Sequence, residues 1–161
     1  MTAQSSRVAS RHATAIAIGK SGVAIFGPSG AGKSDLALRL IDRGATLICD
    51  DRVCFNDDNG QLVASAVQGI AGKLEIRGVG IFAFLHLHSA PVRLCVELGY
   101  EGERHPSPWP VREIDGYRVP LLQIDPFTAS APIKVEYAVK SVVDAALWPV
   151  PIAGLPHQGK T

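Results

Sequence analysis

Gly27-Pro28-Ser29-Gly30-Ala31-Gly32-Lys33-Ser34 fits the pattern G-x-x-x-x-G-K-[ST], a phosphate-binding loop. Such a loop needs a strand before it and a helix after it. Residues 23–26, Val-Ala-Ile-Phe, form a short apolar run consistent with a buried strand. Thr14–Ile18 reads as another strand, turning at residues 19–22 to reach it. Residues 35–43 are rich in helix formers, and Gly44 is placed to cap the helix they predict. The flanks therefore suit the motif. Backbone N–H groups of the glycine-rich turn and of the helix N-terminus are expected to face phosphate oxygens. Gly27 to Ser34, with Asp35 following, are the expected phosphate contacts. Lys33 is placed to neutralise the outer phosphates, and the Ser34 hydroxyl to ligand Mg²⁺.

The rest of the composition narrows the reading. A chain of 161 residues with 47% hydrophobic residues suits a single domain, with 10–148 as its core and 1–9 and 149–161 as loose termini. A formal net charge of +1, with no Lys or Arg adjacent to another, gives no reason to expect nucleic acid as a partner. No segment has the ~18 consecutive apolar residues of a membrane span. The N-terminus lacks the apolar core of an export signal. Cys49, Cys54 and Cys95 have no zinc-type pairing and read as reduced thiols of a cytoplasmic protein, mostly on strands.

Downstream, residues 45–49 form a strand that runs straight into Asp50 and Asp51. An acid at the end of a neighbouring strand holds Mg²⁺ or its water in P-loop proteins. Successive side chains of extended backbone point to opposite sides. One Asp is then free to face a metal and the other an incoming hydroxyl. A hairpin follows, residues 53–55 and 62–64 around the turn-rich 56–60, whose Asp57 and Asp58 read as solvated turn residues. Residues 74–82, L-E-I-R-G-V-G-I-F, carry Glu75 and Arg77 inside an otherwise apolar run. Paired or functional charges explain such a pattern in a strand. Residues 92–98 alternate like a half-buried strand, and the polar, proline-rich 100–110 reads as a surface loop. Residues 112–119 suggest a hairpin around Asp115-Gly116. Residues 133–147 place Val135, Val139, Val142, Val143 and Ala146 on one helical face, with Pro132 near the start. His86 and His88 receive no role.

Four pieces in order, R-H-A at 11–13, G-P-S-G-A-G-K-S-D at 27–35, C-D-D-R-V at 49–53 and L-E-I-R-G-V-G-I-F at 74–82, together resemble the catalytic domain of the HPr kinase/phosphorylase family. The resemblance runs from about His12 to Trp148. It implies an α/β fold: a P-loop kinase domain with a mixed sheet, of the type shared with phosphoenolpyruvate carboxykinase. It implies ATP-dependent phosphorylation of a serine of HPr, the phosphocarrier protein of the bacterial sugar phosphotransferase system. Residue by residue, it implies functional roles for His12, for Lys33 and Ser34 at phosphate and Mg²⁺, for the pair Asp50 and Asp51, for Glu75 as a further metal ligand and for Arg104 as a catalytic arginine. Within the pair, Asp51 is favoured as base and Asp50 as metal or supporting ligand. A homo-oligomer, hexameric in long family members, is implied as well.

Two departures qualify the match. Only a short leader precedes the domain, as in a short form limited to the catalytic part. The segment before the last helix reads I-D-P-F-T-A-S-A-P at 124–132, without the arginine that long members carry in a P-x-x-P-G-R-N-like segment tied to the reverse reaction. The loop by itself also suits a small-molecule kinase, an ATPase or a non-catalytic nucleotide-binding regulator.

Overall fold

A computed structural model describes residues 10–105 and 108–152; the segments 1–9, 106–107 and 153–161, which include most of the expected loose termini, lie outside the described residues. Strands β1 (Ser10–His12), β2 (Thr14–Ile18) and β3 (Ser21–Phe26) lead into helix α1 (Lys33–Asp42). Next come β4 (Thr46–Cys49), β5 (Arg52–Asp58), β6 (Gln61–Ala66), β7 (Lys73–Ile76), β8 (Gly80–Ala83) and β9 (Ser89–Leu98). The chain closes with β10 (Val111–Ile114), β11 (Tyr117–Ile124), α2 (Ala131–Asp144) and β12 (Val150–Pro151). Ten strands form one mixed sheet, while β7 and β8 pair separately as a hairpin.

β3 and β9 make the centre of the sheet, in parallel, with Ala24 opposite Cys95 and Phe26 opposite Glu97. Both are buried on two faces; β3 accordingly reads as a continuous apolar run, whereas in β9 Arg93 and Glu97 interrupt the apolar residues and give the alternation seen in sequence, although Arg93 is itself buried. β9 is long enough to serve two partners along its other edge. Its first residues pair antiparallel with β6, and its last pair in parallel with β11. The sheet thereby curls and encloses one core, which includes Phe26, Ile48, Phe55, Cys95 and Tyr117. A second core lies under the helices, where Leu36, Ala37 and Leu40 of α1 and Val135, Ala138 and Val142 of α2 cover Val23, Ile25, Leu94 and Val96. The two cores divide by the alternation of β3 and β9 side chains.

Local signals account for most boundaries. Gly44 ends α1 at φ 116°, with its N–H donating to the Ile41 carbonyl and that of Ala45 to the Leu40 carbonyl. Asn59 and Gly60, both at positive φ, close the β5–β6 hairpin as a two-residue turn. Other expectations need correction. Residues 74–82 are not one strand, because Gly78 at φ 87° turns the chain back on itself between β7 and β8. α2 starts earlier and stops earlier than its apolar pattern suggests. Ala146 stands at φ 56° outside the helix, and Val143 is more than a third exposed. The hairpin around Asp115-Gly116 is present, but β11 continues to Ile124 alongside β9. β12, in the expected loose tail, pairs with Tyr117 and Arg118. Just before it, the buried Arg93 lies 3.4 Å beneath the Trp148 ring and donates to the Leu147 carbonyl. This pins the end of the α2 segment to β9.

Cys49, Cys54 and Cys95 are all free and all on strands. No helix among the described residues is long and apolar enough to cross a membrane.

Candidate active site

The loop from Gly27 to Gly32 leaves the C-terminal end of β3 and enters α1. Its glycines answer to geometry. Gly30 and Gly32 stand at φ 83° and 104°, and a Cβ on Gly27 would meet the Ala31 side chain at 3.1 Å. The Ala31 N–H donates to the Pro28 carbonyl, and the Leu36 N–H to that of Gly32, so the turn passes directly into the helix. Lys33 is only 7% exposed. Its Nζ donates to the carbonyls of Gly27 (2.7 Å) and Pro28 (3.1 Å), folding the side chain over the loop. Burial pulls its ammonium below the ordinary lysine range, and the nearby carboxylates of Asp51 and Asp50 oppose that shift.

Asp50 and Asp51 follow β4, and they diverge. Asp50 turns inward, where it accepts from the Ser34 hydroxyl at 2.8 Å and from the fully buried Thr14 hydroxyl at 2.8 Å. Asp51 turns outward, its side chain 71% exposed, with a carboxylate oxygen 3.3 Å from His12 Nε2. The expected divergence is present, but its cause differs. The pair sits on a bend, with Asp51 at φ 71°, rather than on alternating extended backbone. Asp tolerates this left-handed conformation better than most residues. Pairing of β1 with β5, His12 opposite Arg52, sets the histidine beside that bend.

A cleft of about 430 Å³ opens over the loop. Ser29, Gly30, Gly32, Lys33, Ser34 and Asp35 form its floor, and His12, Thr14 and Asp51 one wall. Glu75, Ile76 and Arg77 reach it from the β7–β8 hairpin, and Phe127 from the segment before α2. Glu75 and Arg77 are thus exposed cleft residues, not buried charges. Arg104 is exposed in the segment after β9 and is not among the residues lining the cleft. Of the remaining loop residues, Gly27 and Pro28 serve Lys33 through their carbonyls, and Ala31 packs against the Gly27 position.

Sequence reasoning passed over Thr14 and Phe127. Thr14 opens the otherwise apolar T-A-I-A-I of β2, where a buried hydroxyl requires a partner. Phe127 is a lone aromatic in D-P-F-T just ahead of a helix; nothing in its local pattern pointed to the loop.

A glycine-rich turn between strand and helix, a lysine folded across it and an aspartate bonded to its serine place the molecule among P-loop domains. Comparison with known proteins narrows the class. The family model described as the HPr Serine kinase C-terminal domain matches residues 3–97. The HPr kinase/phosphorylase of Streptococcus thermophilus is 33% identical over 155 residues, covering 84% of this chain and 46% of that protein. The HPr kinase/phosphorylase of Clostridium beijerinckii is 30% identical over 142 residues with the same coverage. Among solved structures, the Hpr(Ser) kinase/phosphatase from Coxiella burnetii matches with a TM-score of 0.73 and 29% identity, covering 86% of this chain and 98% of that one. The chain belongs to the HPr serine kinase C-terminal domain family, and its fold is that of a P-loop kinase domain with a mixed, curled sheet. It spans about half the length of the curated relatives it matches, 46% for each of the two named here.

Proposed function

We propose that this domain is a cytoplasmic serine kinase that transfers the γ-phosphoryl group of ATP to an HPr-type phosphocarrier protein. The observation that carries this reading is the divided Asp pair beside the P-loop: Asp50 bonded to Ser34, Asp51 open to the cleft next to His12. The names of the relatives support the acceptor.

Phosphoryl transfer asks a protein for in-line placement, charge neutralisation and a route for the hydroxyl proton. Backbone N–H groups of Gly30 and of Gly32 to Ser34, together with the Lys33 ammonium, hold the donor phosphates. Lys33 exchanges its bonds to the Gly27 and Pro28 carbonyls for phosphate oxygens. No group of three or more metal-ligating side chains occurs among the described residues. The donors that are present, the Ser34 hydroxyl and the Asp50 and Glu75 carboxylates, are oxygens, which suits Mg²⁺, a cation bound through one or two protein groups and substrate phosphates. The Ser34 proton is committed to Asp50, which leaves the hydroxyl lone pairs for a cation. Ser34, supported by Asp50 and with Glu75 across the cleft, would hold Mg²⁺, whose contribution is to neutralise charge on the phosphates. Asp51 accepts the proton of the incoming serine, and His12 orients its carboxylate. Arg104 would act only if its segment moves into the cleft when the acceptor binds.

The test is ATP turnover with Mg²⁺, with and without an HPr-type protein. Phosphoserine formed only with that acceptor supports the reading. Phosphate release independent of acceptor makes the domain an ATPase, and binding without turnover makes it a regulator. Light scattering reads the homo-oligomeric state that the family resemblance implies.

A further inference from the structure

Phe127 stands apart among the cleft residues. Its ring lies against the P-loop: a Cβ placed on Gly32 would lie 3.3 Å from Phe127 Cε1 and 3.4 Å from Cζ. Even so, the residue is 70% exposed and lines the cleft beside Asp35 and Leu38. A single exposed aromatic needs no explanation by itself. This one is held where it is from both sides. The Asp125 carboxylate accepts the Phe127 N–H at 2.9 Å. Arg39 donates to the carbonyls of Pro126 and Thr128, the two neighbours of Phe127 in the chain. Arg39 is in turn fixed by Asp35 at 2.9 Å, one turn earlier on α1. The ring is therefore tied to the helix whose N-terminus carries the phosphate-binding N–H groups.

That placement has a chemical consequence. Phosphates seated on the amides of Gly32 to Ser34 put the rest of a nucleotide within reach of a ring that touches Gly32. Leu38, one turn beyond Ser34, adds an apolar neighbour in the same cleft. A mostly exposed aromatic ring held beside a phosphate site suits a planar, heteroaromatic group. We propose that Phe127 is the platform on which the base of the donor nucleotide stacks. It is then a specificity-determining residue that makes the loop a nucleotide site rather than a general polyphosphate site. The proposal rests on the reading of the loop as a nucleoside triphosphate site.

The experiment is calorimetric titration of wild type, Phe127→Ala, Phe127→Leu and Phe127→Tyr with Mg²⁺-ATP and, separately, with Mg²⁺-tripolyphosphate. Because the ring is mostly exposed, all three variants are expected to fold, and a thermal melt checks this. Phe127→Leu keeps the apolar contact with the loop and removes only the π face. The expected result is ATP binding weakened about tenfold or more in Phe127→Ala and Phe127→Leu and retained in Phe127→Tyr. Tripolyphosphate binding stays within about twofold throughout. Equal losses for both ligands make Phe127 a brace for the P-loop and overturn the proposal. Unchanged ATP affinity with a raised KM for the acceptor protein makes it part of the acceptor surface and overturns it too. Wild type that binds ATP no better than tripolyphosphate refutes the base platform while leaving the phosphate site standing. Wild type that binds neither refutes the P-loop reading itself, and the proposal falls with it.

Discussion

Replacing Asp51 by Asn separates chemistry from stability. The Asp51 side chain is 71% exposed, and its one described ion pair is with His12, itself 44% exposed. Pairs this open contribute about 0–1 kcal/mol. Asn adopts the left-handed backbone at φ 71° as readily as Asp, so the bend survives. Stability should therefore change by less than about 1 kcal/mol. The amide cannot accept the serine proton. Loss of a general base slows transfer by about 10²–10⁴-fold, or about 2.7–5.5 kcal/mol in the barrier. The kinetic effect should thus exceed the thermodynamic one several-fold. The assays are single-turnover transfer to the acceptor serine, titration with Mg²⁺-ATP and urea unfolding. Nucleotide affinity should stay within about threefold of wild type, because among the described residues the Asp51 side chain pairs with His12 and not with the backbone N–H groups of the loop. Transfer within threefold of wild type would refute the assignment of Asp51 as base. So would a loss of more than about 2 kcal/mol in stability, which would make Asp51 a structural residue.

Asp50→Asn should act differently: it disturbs the bonds to Ser34 and to buried Thr14, costs about 1–3 kcal/mol of stability and raises the Mg²⁺ concentration needed for half-maximal rate. If Asp50→Asn proves the variant with intact Mg²⁺ response and lost transfer, the roles of the pair are reversed. Lys33→Ala should abolish turnover and most affinity for tripolyphosphate by calorimetry; full phosphotransfer by that variant would contradict the P-loop reading. Phosphorolysis of seryl-phosphorylated HPr, followed by pyrophosphate release without ADP, should run slower than the forward reaction at matched saturation. The segment 125–130 carries no cation, Arg39 beside it is spent on backbone carbonyls and Asp35, and Lys134 pairs with Glu101 at 3.7 Å.

The parts of the fold visible in sequence were those set by short-range chemistry. The run into Gly27, the helix formers after Ser34 and the glycine at 44 each act within a few residues, and each is where its pattern put it. Extrapolation of an apolar run failed where a glycine or a left-handed residue broke it, as at Gly78 in the β7–β8 hairpin and Ala146 beyond α2. Pairing of β11 with β9, and β12 with β11, joins residues far apart in the chain, so no local pattern announces it. The site divides the same way. The motif residues Lys33, Ser34, Asp50 and Asp51 could be picked out, and the structure gathers them with His12 and Glu75 about one cleft. Thr14 and Phe127 join through tertiary contacts, and Arg104 stays outside.

The most direct test of the central claim follows the phosphoryl group itself. ATP labelled in its γ-phosphate, Mg²⁺ and a purified HPr-type protein are mixed with the domain, and the acceptor is examined by intact mass and peptide mapping. The account predicts one added phosphoryl group on one serine, carrying the label, and none with Lys33→Ala. Label recovered only as free phosphate, or an unmodified acceptor beside unconsumed ATP, would contradict it.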